Sequence, residues 1–296
     1  MSSGDFYGRK TIELGNPYFQ LDCLVEGGPR LVRLIPAWLG ENLFAEVPEA
    51  ASRGPLGAYH FLGGHRLWIA PEDLATTYVP DDDAVSVRKI SGGIKLEGGI
   101  QPETHIRKSM YVQLSSTRPF VMIKHKLENR GRKTIRVAPW ALTMLRTKGT
   151  AILPQQLGNV DQAGLLPNRN ISLWPYSRWD DSRLKLGEEF IRIKATNNKQ
   201  PFKLGYFNPH GWLGYVFEDV LFIKRYGVNR SGEYPDLGCN SEVYTDYRFI
   251  ELESLGALTD LKPGEELVHT ESWEVYDLNT LPPDLPGGGS LLEILK

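Results

Sequence analysis

Two glutamates in an apolar segment are the residues whose spacing points most directly to chemistry. In Phe249-Ile-Glu-Leu-Glu-Ser-Leu255, Glu251 and Glu253 alternate with Ile250 and Leu252. Successive strand side chains point to opposite faces, so both carboxylates would share one face, with their Cα atoms about 7 Å apart. Burial or a neighbouring carboxylate raises a carboxyl pKa toward neutrality, which suits general acid or base catalysis.

Two histidines next to glycine and tryptophan are further candidates. His65 and Arg66 follow two glycines that predict a tight turn, and they precede Trp68. His210 stands just before Gly-Trp212. A histidine donates protons near neutral pH, and an arginine offers fixed donors to hydroxyl or phosphate groups. A structural role, with His65 and Arg66 bonded to loop carbonyls, fits the sequence equally well.

Aromatic side chains are numerous, with seven Trp and 13 Tyr in 296 residues. Aromatic faces stack on the C–H side of sugar rings while polar neighbours reach hydroxyl groups. We therefore take Trp68, Trp174 and Trp212 as candidate ligand contacts. Asn168 and Arg169 could read hydroxyl groups from a loop, although both residue types also stabilise turns.

The elements that must position these groups are short alternating runs bounded by turn residues, which predict β-strands. Helical periodicity is missing. The pattern predicts one antiparallel all-β domain over residues 1–296, built from two large packed sheets, with a turn-rich tail from about residue 281. Residues 155–185 and 228–240 are expected to be long loops. The predicted strands are 11–14, 19–25, 31–35, 84–90, 94–97, 106–114, 120–128, 134–145, 151–154, 190–194, 213–217, 221–226, 250–255 and 267–275.

Two turns suggest how neighbouring strands pair. Asn129-Arg130-Gly131 predicts a hairpin between strands 120–128 and 134–145, and Pro139 indicates a bulge or an edge in the second of them. Leu261-Lys-Pro-Gly predicts that strands 250–255 and 267–275 are adjacent.

Composition excludes several classes of function. The net charge is −2 and the basic residues are scattered, which argues against nucleic acid and anionic membranes as partners. No apolar leader or membrane-length run is present, so we expect a cytoplasmic protein. Cys23 and Cys239 predict buried thiols, while His125 and His269 alternate within strands and are expected to be structural. No metal-spaced, P-loop or dinucleotide motif occurs, so no metal or cofactor is expected.

Three segments resemble the galactose mutarotase-like superfamily, which includes aldose 1-epimerases. They are Gly28-Pro-Arg-Leu-Val-Arg-Leu-Ile-Pro, Gly63-Gly-His-Arg-Leu-Trp, and the C-terminal series Ile250-Glu-Leu-Glu-Ser-Leu, Leu261-Lys-Pro-Gly-Glu-Glu and Thr270-Glu-Ser-Trp. The resemblance spans nearly the whole chain as a pattern. It implies a β-supersandwich fold.

The resemblance also implies a reaction. By position, Glu253 resembles the glutamate that acts as base in the epimerases, with Glu251 as the fallback. The epimerases use a histidine of the middle third as acid, but the matching segment, residues 137–145, contains none. His65 or His210 would then supply the proton. The leading hypothesis is a carbohydrate-binding protein that interconverts sugar anomers without a cofactor, acting on a free or phosphorylated sugar.

Two alternatives remain open. The first is a non-catalytic carbohydrate-binding or sensing protein that has lost the family's acid. The second is a glycosidase or lyase that uses two carboxylates, which hydrolysis requires about 5–9.5 Å apart.

Overall fold

Strand-forming runs dominate the chain, and the computed structural model, which describes residues 2–280, folds them into two antiparallel sheets. The strands of the larger sheet are β1 (Ser2–Phe6), β2 (Arg9–Gly15), β3 (Phe19–Leu24), β4 (Arg30–Pro36), β5 (Glu46–Gly54), β6 (Gly57–Ala70), β11 (Ile135–Leu145), β13 (Ser172–Leu173), β16 (Phe202–Tyr206), β19 (Ser241–Thr245), β20 (Ile250–Leu255) and β21 (Thr259–Leu261). The tail expected from Leu281 lies outside the described residues.

The smaller sheet packs against the larger one. Its strands are β7 (Ser86–Ile90), β8 (Gly93–Ile100), β9 (Ile106–Leu114), β10 (Phe120–Asn129), β12 (Thr150–Pro154), β14 (Leu184–Leu186), β15 (Phe190–Lys194), β17 (Trp212–Phe217), β18 (Val220–Tyr226) and β22 (Glu266–Asp277). One short turn, α1 (Pro235–Gly238), precedes β19. In the described part of the chain, no helix has the length and apolar character needed to cross a membrane.

The core is formed by the alternate side chains that both sheets turn inward. Leu252 of β20 and Leu204 of β16 meet Ile123 of β10, Phe222 of β18 and Trp273 of β22, all fully buried. Burial of such a side chain contributes about 1.5–3 kcal/mol, so this layer holds the sheets together. The expectation of an all-β fold with two large antiparallel sheets is confirmed.

The predicted connections differ from the observed ones. Strands β10 and β11 do not form a hairpin, because β10 pairs with β9 and β22 in the smaller sheet while β11 pairs with β6, β20 and β21 in the larger one. Strands β20 and β22 likewise lie in different sheets. Each turn therefore carries the chain from one sheet to the other. The residues of a turn determine that the chain reverses direction. They do not determine which strand the next strand pairs with.

Pro139 is not at an edge: it pairs with Ile69 of β6 on one side of β11, and the ladder is interrupted only on the other side. Strand β11 is central, and its pairing changes from β21 at residues 135–137 to β20 at residues 140–145. Pro139 lies in this gap, where its missing N–H breaks no ladder bond, and its carbonyl accepts a bond from Gly256.

Gly63 and Gly64 do not form a turn, as the sequence suggested, but lie inside the long strand β6. Both have positive φ, of +101° and +69°. A Cβ on Gly64 would lie 1.9 Å from the Leu31 carbonyl oxygen. These glycines let β4 and β5 approach β6 closely, just before His65 and Arg66.

We expect Gly64→Ala to destabilise the protein by more than about 2 kcal/mol, because it adds a backbone clash to the cost of a left-handed residue, about 1–2 kcal/mol. Urea unfolding measures the effect. Gly264→Ala is the control that isolates the cost of a positive φ. Its φ is +81°, but an added Cβ would meet nothing within 4 Å. Gly99→Ala, which also has free space, should change little. Equal losses in Gly64→Ala and Gly264→Ala would contradict the clash.

Candidate active site

Five neighbouring strands of the larger sheet, β6, β11, β20, β19 and β16, build the candidate site on their outer face. The register aligns Arg66, Leu142, Glu253 and Glu242 in one row across β6, β11, β20 and β19. The adjacent row aligns Glu251 with Tyr244 and Lys203. Alternation along each strand therefore gathers these side chains on one face.

A cavity of about 320 Å³ lies over these rows. This is at the lower end for ligand pockets and suits a single sugar ring. Its wall is mainly aromatic and its floor is charged. The lining residues are Phe61, Arg66, Trp68, Glu72, Tyr78, Trp140, Leu142, Trp174, Tyr176, Pro201, Lys203, Tyr244, Arg248, Phe249, Glu251 and Glu253.

Glu253 is fully buried at this cavity, yet only one of its oxygens is engaged. Oε2 accepts hydrogen bonds from the Trp140 indole, at 2.8 Å, and from Lys203 Nζ, at 2.9 Å. Oε1 is buried and has no partner among the described residues. A buried carboxylate oxygen without a donor is costly, and a ligand hydroxyl would satisfy it.

Lys203 lies between two buried carboxylates. Its Nζ is 2.6 Å from Glu242 Oε2 and 2.9 Å from Glu253 Oε2, and it lies 4.6 Å from the ring centres of both Trp140 and Trp174. Burial alone would lower the pKa of Lys203, but the two carboxylates raise it well above its usual value. Burial raises the pKa of Glu242 well above its usual range, although Lys203 opposes this. Lys203 is thus a fixed cation of the site.

Glu251 faces the same cavity and is held by Arg66. Arg66 Nη2 donates to Glu251 Oε1 at 2.9 Å, and the guanidinium lies 4.2 Å from the centre of the Trp68 ring. Burial raises the pKa of Glu251 to about 7, with Glu253 adding to the shift and with Arg66 and Lys203 opposing it. Glu251 therefore holds a proton for part of the time near neutral pH.

Five of the predicted site residues line this one cavity: Glu251, Glu253, Arg66, Trp68 and Trp174. They come from β6, β20 and the loop after β13, so the fold brings together groups that are far apart in sequence.

The other five predicted site residues lie elsewhere. His210 Nε2 is 3.0 Å from the Gln155 carbonyl oxygen. Trp212 packs against Phe190 in the smaller sheet. Asn168 donates to the Gly158 carbonyl, and Arg169 donates to the Gln156 carbonyl and pairs with Glu188. These loop residues hold the segment 155–170 together. His65, the fifth, is on the inner face of β6.

Behind the cavity, His65 belongs to a buried polar network between the sheets. Its Nδ1 lies 2.9 Å from Thr143 Oγ1 and its Nε2 lies 3.1 Å from His125 Nε2. Glu271 Oε2 is 3.7 Å from both Nε2 atoms. These ligand atoms lie within 4.8 Å of one another, close enough for a metal. However, Lys224 Nζ lies 2.9 Å from Glu271 Oε1, so an ammonium already compensates this carboxylate.

Lys224 connects this network to the backbone of the site. Its Nζ donates to the carbonyl of Ala141, next to Trp140, at 2.8 Å, and to that of Leu252, between the two glutamates, at 3.1 Å. Burial would raise the pKa of Glu271, but Lys224 and the neighbouring imidazoles hold it well below its usual value. The expected structural roles of His125 and His269 are consistent with their places in this network, where His269 Nε2 lies 2.7 Å from Ser254 Oγ.

Several lining residues escaped the sequence analysis. Lys203, Tyr244 and Arg248 lie on or beside β16 and β19, which are absent from the predicted strands, and Trp140 was not among the candidate ligand contacts. The available signal was the alternation in Phe202-Lys-Leu-Gly-Tyr206 and Ser241-Glu-Val-Tyr-Thr245. Both expected thiols, Cys23 and Cys239, are buried and unpaired.

The buried histidines predict acid sensitivity. Burial lowers the pKa of His65 well below its ordinary 6.5 and also lowers that of His125. Below pH 6.5 the unfolded chain therefore binds more protons on these two histidines than the folded one, and their contribution to stability must fall as pH falls, while the raised pKa values of Glu251 and Glu242 act in the opposite direction. Each histidine contributes up to about 1.4 kcal/mol per pH unit.

Urea unfolding between pH 7.5 and 5.5 measures this slope. His125→Gln should lose less stability than wild type, or gain more, as pH falls across this range, whereas His105→Asn, which changes an exposed histidine, should follow wild type. A slope that is the same in all three proteins would refute the assignment.

The fold is shared with solved structures described as putative aldose 1-epimerases and mutarotases. No protein-family model matches the sequence, and no curated protein matches it either. Among solved structures, a putative aldose 1-epimerase from Escherichia coli K12 is 14% identical with a TM-score of 0.55, over 90% of this chain and 99% of that one.

Two further solved structures share this fold. A putative mutarotase from Salmonella typhimurium is 10% identical over 93% of both chains, with a TM-score of 0.59. A putative aldose 1-epimerase from Klebsiella pneumoniae is 9% identical over 94% of this chain and 83% of that one, with a TM-score of 0.60. At such identity the likeness concerns the fold, and the resemblance seen in the sequence is confirmed at that level: this chain has the galactose mutarotase-like fold.

Proposed function

We propose that the protein binds a small carbohydrate in the aromatic cavity and interconverts its anomers as an aldose 1-epimerase, with Glu253 as the base. The observation that carries the proposal is the Glu253 carboxylate. It is buried at a ligand-sized cavity, one oxygen is fixed by Trp140 and Lys203, and the other has no hydrogen-bond partner within residues 2–280.

The cavity has the mixed chemistry that sugars require. Aromatic rings such as Trp174 and Tyr176 offer surfaces for the C–H face of a pyranose, and the carboxylates of Glu251 and Glu253 can accept hydrogen bonds from its hydroxyls. A small-molecule carbohydrate is therefore the proposed partner. The galactose mutarotase-like fold supports this partner by analogy.

The charges favour an unphosphorylated sugar. Each cation that lines the cavity already pairs with a carboxylate: Arg66 with Glu251, Arg248 with Asp246, and Lys203 with Glu253 and Glu242. A phosphate would bring further negative charge next to Glu251 and Glu253 without an unpaired cation among the described lining residues to compensate it, and a buried charge without compensation is costly.

The reaction needs one base and one acid. Glu253 would take the proton of the anomeric hydroxyl, the ring bond would open as the ring oxygen is protonated, and the aldehyde would rotate and close on its other face. This scheme uses no cofactor. A fixed carboxylate and an aromatic wall supply orientation, which accounts for a large part of the acceleration in such sites.

A second function has its own support. None of the six histidines of the chain lines the cavity, although the resemblance implies a histidine acid. A protein that binds or senses a carbohydrate without converting it would keep the aromatic wall and lack the acid.

Proton NMR saturation transfer between anomers, on a panel of free and phosphorylated aldoses, tests the proposal. We expect accelerated exchange of a free aldose, and Glu253→Gln should slow it by at least about 10²-fold, the usual contribution of a general base. Glu233→Gln, which changes an exposed carboxylate, is the matched control.

Binding shown by ligand chemical shifts, without accelerated exchange of any sugar, would replace the enzyme by the carbohydrate receptor. No binding of any sugar would contradict both functions.

A further inference from the structure

The cavity contains a second carboxyl group placed for proton transfer. Glu251 is two residues from Glu253 on the same face of β20, and both line the same cavity. The Glu251 side chain is only 8% exposed. Arg66 engages its Oε1, and among the described residues no hydrogen bond reaches its Oε2. One oxygen is therefore fixed and the other is free for a ligand.

No imidazole competes for this role. His65, His125 and His269 lie on the opposite side of the larger sheet, within the network that Lys224 and Glu271 complete. His210 is bonded to the Gln155 carbonyl, away from the cavity lining. The exposed His105 and the half-buried His60 do not line the cavity either.

The other proton donors of the cavity are weak. Two carboxylates hold the pKa of Lys203 well above its usual value, so its ammonium gives up a proton reluctantly. Burial raises the pKa values of Tyr78, Tyr176 and Tyr244 above that of an ordinary phenol. A general acid works best when its pKa is close to the working pH, and these groups are far from it.

The charged and titratable groups around Glu251 come from several elements. Arg66 on β6 and Lys203 on β16 favour its ionised form, whereas Glu253 on β20 and burial favour its protonated form. Tyr78 and Tyr244 face it from the cavity wall, and Lys224 lies beyond the sheet. The balance leaves the pKa of Glu251 at about 7.

We propose that Glu251 is the general acid of the anomer interconversion, in place of a histidine, with Arg66 as the positioning residue. This inference rests on the proposed function. In the opening step the anomeric O–H bond breaks and its proton passes to Glu253. The bond between C1 and the ring oxygen breaks with its electron pair on that oxygen, which takes the proton of Glu251. Ring closure on the other face returns both protons.

The pH dependence of the exchange rate reports on Glu251. The rate should fall on the alkaline side of neutrality as Glu251 loses its proton. Glu251→Gln should lower kcat by about 10²-fold or more and remove the alkaline limb, with sugar affinity within a few fold of wild type.

Arg66→Met provides a second readout if Glu251→Gln fails to fold. Arg66 favours the ionised form of Glu251, so its loss should raise the pKa and move the alkaline limb to higher pH. If Arg66 is purely structural, Arg66→Met should lower the rate without moving the alkaline limb of the pH–rate profile.

An unchanged rate and alkaline limb in Glu251→Gln, in a wild type that accelerates exchange, would overturn the inference while leaving the proposed function intact. A wild type that binds sugars without exchanging them would overturn both.

Discussion

The alternation of side chains along β6, β11 and β20 is the constraint on which the rest of the structure depends. Each of these strands presents one set of residues to the cavity and the other to the space between the sheets. Glu251 and Glu253 face outward because Leu252 and Ser254 face inward. A shift of one residue in register would place the carboxylates in the apolar core. The burial of Leu252 thus fixes the position of the candidate catalytic groups.

Compensation of buried charge gives the site its rigidity. On the outer face Lys203 lies between two carboxylates, and on the inner face Lys224 pairs with Glu271 while bonding to backbone carbonyls of β11 and β20. Removing one partner of a buried pair typically costs about 3–5 kcal/mol, so neither lysine is free to move. Such pairs contribute little net stability. They do fix geometry, and proton transfer to a bound sugar requires fixed geometry.

Much of the fold and part of the site could be predicted from the sequence. The period of two around Glu251 and Glu253 defined one face of a strand, and the structure has that face. The Gly63-Gly64 pair was misread as a turn because its role depends on β4 and β5, whose approach is a tertiary contact. Lys203 was not assigned to the site for a similar reason. Its place beside Glu253 follows from the register of β16, β19 and β20, which no local pattern reveals.

The two histidines proposed as acids show the same limit. His65 is adjacent to Arg66, yet alternation sends the imidazole to the inner network and the guanidinium to the cavity. His210 belongs to a turn that the Gln155 carbonyl holds. Residue type suggested proton chemistry, but the face of the strand decides which groups share a site. The carboxyl of Glu251 is left as the group best placed to act as acid.

A crystal structure of the protein soaked with a free aldose tests the central claim most directly. The account predicts a single sugar ring in the aromatic cavity, with its anomeric hydroxyl about 2.6–3.2 Å from Glu253 Oε1 and its ring oxygen within reach of Glu251. A sugar bound at another surface, or one held in the cavity with its anomeric carbon turned away from both glutamates, would contradict it.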